Sequence, residues 1–203
     1  MNEIMKNFAV EDKSWVLFDN LAPKSENKAW VSPTEPRPTV VRPKLTNKKV
    51  MLLFAFTGDG KVAIEAKNPG ETVSAEIYME FIRGVGEKWK TLRSSPTRLR
   101  DLWWMHDNAR PHVAAHTQEF LTRRKVKIIK QSPYSPDLNL CDRWIFNNLK
   151  KNLRQLSFNS NEEVLEKSLQ WFRYISEEKF KAELHRLFEH CKAVISLNGD
   201  YVS

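Results

Sequence analysis

Three aspartates, Asp12, Asp107 and Asp142, stand where folding could bring their carboxylates together. Asp12 lies in a strand-like stretch, Asp107 directly follows the apolar run at residues 102–105, and Asp142 opens a stretch with helical periodicity. Clustered carboxylates repel one another unless a cation joins them, and Mg²⁺ and Mn²⁺ prefer such oxygen ligands. Two ions ~3.5–4 Å apart can activate an attacking oxygen and stabilise a leaving one. The three aspartates therefore indicate metal-dependent phosphoryl transfer.

Each aspartate also has a structural explanation. Asp12 could be a charge at the end of a strand. Asp142 could be an acidic residue in the first turn of a helix, where the helix dipole favours it. The pattern alone leaves both interpretations open.

The elements around these residues begin with a three-stranded meander and continue with alternating helices and strands. Strands are expected at residues 8–18, 50–56, 61–66, 102–105 and 126–129. Helices are expected at about 71–93, 109–125, 142–155, 161–176 and 177–195. This order predicts an α/β fold with a mixed five-stranded sheet flanked by helices, in a single domain over residues 1–203.

The composition excludes several classes of protein. Of the 203 residues, 41% are hydrophobic, which is enough for a folded core. No apolar run approaches the ~18–20 residues of a membrane span, so we expect no membrane partner. Two cysteines, Cys141 and Cys191, are too few for a disulfide scaffold and form no zinc motif.

The net charge of +8 is unevenly distributed. Residues 161–203 carry a net charge of −2, which leaves +10 on residues 1–160. Such asymmetry favours a polyanionic partner, most simply nucleic acid, although a soluble basic surface would have the same composition.

Two segments carry a specific resemblance. HDNARPH (residues 106–112) and PYSPDLNLCD (residues 133–142) resemble the two signature blocks of mariner-type transposases of the Tc1/mariner superfamily. Between Asp107 and Asp142 lie 34 residues, the interval of the mariner catalytic triad class. Upstream, Asp12 and Trp15 have the spacing of the family motif Gly-Asp-Glu-x-Trp.

The resemblance implies an RNase H-like fold and a DNA transposase. Asp12, Asp107 and Asp142 would be the catalytic residues and would hold two Mg²⁺ or Mn²⁺ ions. The substrate would be double-stranded DNA, cut at inverted-repeat transposon ends and joined to TA target DNA, and the expected location is the nucleus. Residues 20–46 correspond to a loop that clamps two protomers, which implies a homodimer, whereas a loop packed on its own domain is the alternative.

The resemblance and the basic runs together suggest residues that contact DNA. The candidates are polar or basic residues beside the signature aspartates and on the following helices: His106, Asn108, Arg110, His112, Arg123, Arg124, Lys150 and Lys151. Solvated helix faces and strand-end hydrogen bonds would explain the same residues. We also expect His112 and His116 on a helix surface, and Trp15 in the core.

The sequence departs from the family in ways that keep other functions open. Glu11 and Lys13 replace the family's glycine and glutamate around Asp12, and we expect the lysine to compete with metal ions. We further expect the family's N-terminal helix-turn-helix region to be absent. The alternatives are a domesticated or decayed derivative that binds DNA or protein without cleavage, and an RNase H-like nuclease without strand transfer.

Overall fold

A computed structural model describes residues 6–18, 48–60, 62–68, 70–92, 98–154 and 156–200. Five strands form one sheet in the spatial order β3-β2-β1-β4-β5. They are β1 (Phe8–Leu17), β2 (Lys49–Thr57), β3 (Val62–Lys67), β4 (Trp103–Met105) and β5 (Lys127–Ile129). The first three pair antiparallel as a meander, whereas β4 and β5 run parallel to β1. The predicted mixed five-stranded sheet is confirmed.

Helices cover both faces of the sheet. They are α1 (Ala75–Leu92), α2 (Arg110–Val113), α3 (Ala115–Arg123), α4 (Phe146–Asn152), α5 (Asn161–Arg173) and α6 (Glu177–Ser196). Short 3₁₀ turns lie at Leu99–Asp101 and Pro136–Leu138, and a π-helical turn at Cys141–Ile145 leads into α4. No helix in the described part of the chain is long and apolar enough to cross a membrane.

The alternation of side chains along β2 divides the core into two layers. Phe54 and Phe56 point to the face covered by α4, α5 and α6, where Phe54 stacks on Phe172 with ring centroids 4.6 Å apart. Leu53 and Ala55 point to the opposite face, against α1 and α3. Each fully buried side chain of Leu or Phe size contributes about 1.5–3 kcal/mol, so these layers fix the sheet that carries the site.

The helix expected over residues 109–125 is in fact two helices. Ala114 has an extended backbone, with φ −58° and ψ 139°, and it separates α2 from α3. Pro111 lies at the start of α2, where its missing N–H costs no helical hydrogen bond. The break turns the short α2 back toward the end of β4. The expected dimer loop at residues 20–46 falls outside the described residues.

Candidate active site

The parallel pairing of β1 with β4 places Asp12 and Asp107 side by side. The last paired residues are Val10 and Met105, and the two aspartates each lie two residues further along. Asp12 is 6% exposed, whereas Asp107 is half-buried at the end of β4. The carboxyl ends of parallel strands are where α/β sheets bind ligands.

Asp142 reaches the same end of the parallel strands from the π-helical turn Cys141–Ile145. The backbone N–H of Phe146 donates to the carbonyl of Cys141, five residues back, which widens the helix where Asp142 projects. Such turns are often found at functional sites because they redirect a side chain. The helical periodicity that begins at Asp142 predicts a regular helix, whereas Asp142 lies in this wider turn, with its side chain beside that of Asp12.

Asn139 connects the turn to β1. This fully buried residue donates from Nδ2 to Asp12 Oδ2 at 2.8 Å, and its Oδ1 accepts from the backbone N–H of Cys141 at 2.9 Å. Sequence reasoning missed it. Its position between Leu138 and Leu140 was a signal for burial, because a polar residue between two apolar residues in a loop is often buried with specific hydrogen-bond partners.

Asp12 is buried among other acidic side chains. Its burial, together with the neighbouring charges of Glu11 and Asp142, raises the pKa of Asp12 to about 8. Burial also raises the pKa of Asp142, which accepts a hydrogen bond from the Asp12 carboxyl and lies within the field of Asp107. Without a cation, a proton on Asp12 relieves the repulsion between the carboxylates.

Asp107 has the opposite electrostatic environment. Burial by itself would raise the pKa of Asp107. The pKa nevertheless lies below its ordinary value, because His112 provides a hydrogen bond and positive charge, Ala109 donates its backbone N–H, and Lys13 adds a further positive charge. His112 Nδ1 lies 2.6 Å from Asp107 Oδ1, and Lys13 Nζ lies 3.9 Å from Oδ2. Asp107 is therefore the carboxylate of the three that stays ionised most readily.

A buried polar cluster lies on the α1 side of β1. Glu11 is completely buried there, which raises the pKa of its carboxyl group. Within the described residues its carboxylate oxygens make no hydrogen bond of regular geometry, although the charge of His112 and the side chain of Tyr78 partly offset the rise in its pKa. His112 and Tyr78 lie beside it. The Tyr78 ring packs on the rings of His106 and His112, and Trp104 donates to the Tyr78 hydroxyl at 3.1 Å. Replacing the family's glycine with glutamate has left the β1–β2 register continuous.

His106 and His112 are buried, which differs from the predictions for these two histidines. His112 is 0% exposed and His106 is 6% exposed, so neither is placed to contact DNA in this structure. The prediction that His112 lies on a helix surface is wrong, because the break at Ala114 turns α2 inward. The same prediction is confirmed for His116, whose side chain is 52% exposed. Burial and the charge of His112 lower the pKa of His106 to about 4, which keeps its ring neutral at pH 7.

The other candidate DNA contacts are exposed. They are Asn108, Arg110, Arg123, Arg124, Lys150 and Lys151. A cleft of about 400 Å³ opens beside Asp107 and Asp142, and Asn108 and the fully exposed Tyr134 form part of its wall. These positions are compatible with DNA contact, which remains a prediction.

A second groove, with a volume of about 660 Å³, lies beside Lys13. It is lined by Trp15, Lys49 and Arg110 among others, and Lys49 Nζ lies 4.3 Å from the centroid of the Trp15 ring. Trp15 is 37% exposed, so its expected place in the core is wrong. Basic groups around an exposed aromatic ring are typical of surfaces that hold nucleic acid.

The donor set of the three aspartates suits a divalent cation. Crowded carboxylates with raised pKa values gain stability when a hard cation takes the place of the proton. Within the described ranges, no three histidine, cysteine or acidic side chains are already arranged as a metal-binding group. Asp12 instead bonds to Asn139 and Asp142, while one oxygen of Asp107 lies against His112.

Comparison with known proteins finds relatives over most of the chain. Residues 21–99 match the family model "Transposase (partial DDE domain)". The chain is 27% identical to the Mariner Mos1 transposase of Drosophila mauritiana, covering 94% of this chain and 55% of that protein. It is 26% identical to the histone-lysine N-methyltransferase SETMAR of Homo sapiens, covering 94% of this chain and 27% of that protein.

The fold agrees with the sequence comparison. The structure of a pre-cleavage Mos1 transpososome aligns with a TM-score of 0.87 at 26% identity, over 100% of this chain and 58% of that one. The chain thus spans little more than half the length of the Mos1 protein. The sheet and its flanking helices are RNase H-like, and the chain is similar in sequence and in fold to the Mos1 mariner transposase.

Proposed function

We propose that residues 1–203 form a single catalytic domain that cuts DNA at transposon ends and joins the cut end to TA target DNA. The observation that carries this proposal is the meeting of Asp12, Asp107 and Asp142 at one edge of the sheet. The interval of 34 residues between the last two supports it.

These three carboxylates would hold two Mg²⁺ or Mn²⁺ ions. Paired-end complexes of Mos1 transposase with Mn and with Mg support this assignment. When bound, the ions would activate the attacking oxygen and stabilise the leaving one. The chain itself supplies Asn139, which orients Asp12, and a cleft of about 400 Å³ beside Asp107 and Asp142.

A covalent protein–DNA intermediate is not part of the proposal. Cys141, the thiol beside Asp142, is fully buried, and burial raises the pKa of that thiol well above its ordinary value. A buried neutral thiol is a poor nucleophile. The attacking groups would therefore be water in the cleavage step and the DNA 3′-hydroxyl in strand transfer.

The proposed substrate is double-stranded DNA carrying inverted-repeat ends. Exposed Arg110, Arg123, Arg124, Lys150 and Lys151 would contact phosphates around the cleft. We place the reaction in the nucleus, where chromosomal target DNA lies. A homodimer through residues 20–46 completes the proposal, on the resemblance of that segment to the family's clamp loop.

Strand transfer from a pre-cut end tests the function. A duplex with a free 3′-hydroxyl would be incubated with the chain, Mn²⁺ and a plasmid containing TA sites, with Asp107→Asn as the inactive control. We expect joined products at TA sites for the wild type and none for the variant. Cleavage without joining would favour a nuclease, and wild-type products equal to those of the variant would favour a non-catalytic derivative.

A further inference from the structure

The imidazole of His112 is enclosed on all sides by the buried polar cluster. Its ring centroid lies 4.1 Å from that of Tyr78 and 4.9 Å from that of His106, and the residue is 0% exposed. Its Nε2 lies 3.7 Å from Glu11 Oε2. At that distance the contact is electrostatic and is not a hydrogen bond. The ring therefore has one orientation that the packing permits.

The backbone of His112 is also fixed. The carbonyl of Pro111 accepts from Thr117 Oγ1 at 2.8 Å, and the carbonyl of His112 accepts from Gln118 Nε2 at 2.6 Å. Both donors belong to α3, so the short helix α2 is braced by the longer helix that follows it. A four-residue helix would not hold a side chain rigidly without such partners.

The fixed ring faces one oxygen of Asp107. Nδ1 lies 2.6 Å from Asp107 Oδ1 and 3.1 Å from the Asp107 backbone carbonyl. Since both partners on this side are acceptors, Nδ1 carries the proton. Oδ1 also accepts from the backbone N–H of Ala109 at 3.0 Å, so it is occupied, whereas Oδ2 lies on the side of Lys13. Asp107 is one of the residues that line the cleft.

We propose that His112 is a positioning residue that fixes the Asp107 carboxylate through Nδ1, so that Oδ2 is presented to the catalytic cleft. The proposal rests on the function proposed above, because it gives this histidine a role at the same site. The carboxyl group of Glu11, the residue in place of the family's glycine, lies on the far side of the ring, 3.7 Å from Nε2. Groups that orient a ligand in this way commonly change metal affinity by about 10–100-fold when they are lost.

Two substitutions of His112 test the roles of Nδ1 and Nε2 separately. In His112→Asn the side-chain amide can stand where Nδ1 was and keep the donation to Asp107. In His112→Gln the amide reaches the position of Nε2 and loses that donation. Crystal structures of the metal-free variants would show whether Asp107 keeps its rotamer. We expect the rotamer to be retained in the asparagine variant and changed in the glutamine variant, and an unchanged Asp107 in the glutamine variant would overturn the proposal.

Titration with Mn²⁺ gives the second readout, with His116→Gln as the matched control on the exposed histidine of α3. We expect binding at least about tenfold weaker for His112→Gln, near-wild-type binding for His112→Asn, and no change for the control. Equal weakening by both His112 variants, at matched melting temperatures, would show a packing role and overturn the proposal. Absence of Mn²⁺ binding by the wild type would count against the proposed function, while the crystal structures would still decide the role of His112.

Discussion

Asn139 and Asp12, which are 127 residues apart in sequence, are joined by a buried hydrogen bond of 2.8 Å from Nδ2 to Oδ2. The same amide side chain accepts from the backbone of Cys141 at the start of the π-helical turn. One neutral residue thus links the first carboxylate to the segment that carries the third. Because an amide adds no charge, it can do so without adding to the repulsion around Asp12.

Replacing Asn139 should weaken both the fold and the site. In Asn139→Ala, Asp12 and the N–H of Cys141 lose their buried partner, which should lower the free energy of unfolding by about 1–3 kcal/mol. Urea unfolding measures this loss, and Mn²⁺ titration should show weaker binding. Asn152→Ala removes an amide at the exposed end of α4 and should change stability by less than about 0.5 kcal/mol. Equal effects of the two substitutions would contradict the role of Asn139.

The stability of the metal-free protein should depend on the ionisation of Asp12. Its pKa is raised in the folded protein, to about 8 from an ordinary value of 3.8, so folding favours the protonated form. The contribution of this protonation to stability is fully present below pH 3.8, decreases as the pH rises, and is lost as the pH passes through about 8. Stability should therefore fall across this range in the wild type.

Asp12→Asn should flatten that pH dependence, since the amide cannot ionise. The variant should become progressively more stable than the wild type as the pH rises, while Mn²⁺ binding is lost. Chemical denaturation in the presence of a chelator, at pH values from 5 to 8 spaced about one pH unit apart, would measure the difference in stability. Parallel curves for the two proteins would show that Asp12 does not carry the raised pKa.

Lys13 should weaken metal binding. Its ammonium lies 3.9 Å from Asp107 Oδ2, where it competes with a cation for the carboxylate. Lys13→Glu should tighten Mn²⁺ binding by roughly 1 kcal/mol, or about fivefold in Kd. Lys90→Glu makes the same charge change on the exposed last turn of α1 and should leave Kd unchanged. An unaltered affinity in Lys13→Glu would refute the competition.

Much of this arrangement could be predicted from the sequence. The apolar run before Asp107 and the turn residues between β2 and β3 each specify local structure, and the spacing from Asp107 to Asp142 specifies the family motif. The sheet order follows from these elements, because short connections and buried parallel strands leave few arrangements. The π-helical turn could not be predicted, since one extra residue per turn leaves no signal in the periodicity of the following helix.

Burial at the site was the other feature that the sequence did not reveal. His112 looked like a surface residue because helical periodicity over residues 109–125 assumed an unbroken helix, and the break at Ala114 reverses its direction. Trp15 looked like core material from its apolar neighbours, but β1 presents it beside Lys49 at the groove. The groups that contact these two residues lie far away in sequence: Tyr78 and Glu11 pack against His112, and Lys49 lies over Trp15.

Binding of Mn²⁺ to the wild type and to Asp107→Ala, measured by calorimetry, tests most directly whether the three aspartates form a catalytic metal site. Asp137→Ala serves as the control, because this carboxylate of the same loop region pairs with His190 at 2.9 Å. We predict binding by the wild type and by Asp137→Ala, and its loss in Asp107→Ala. Binding of equal strength in Asp107→Ala, or none in a folded wild type, would contradict the proposed site.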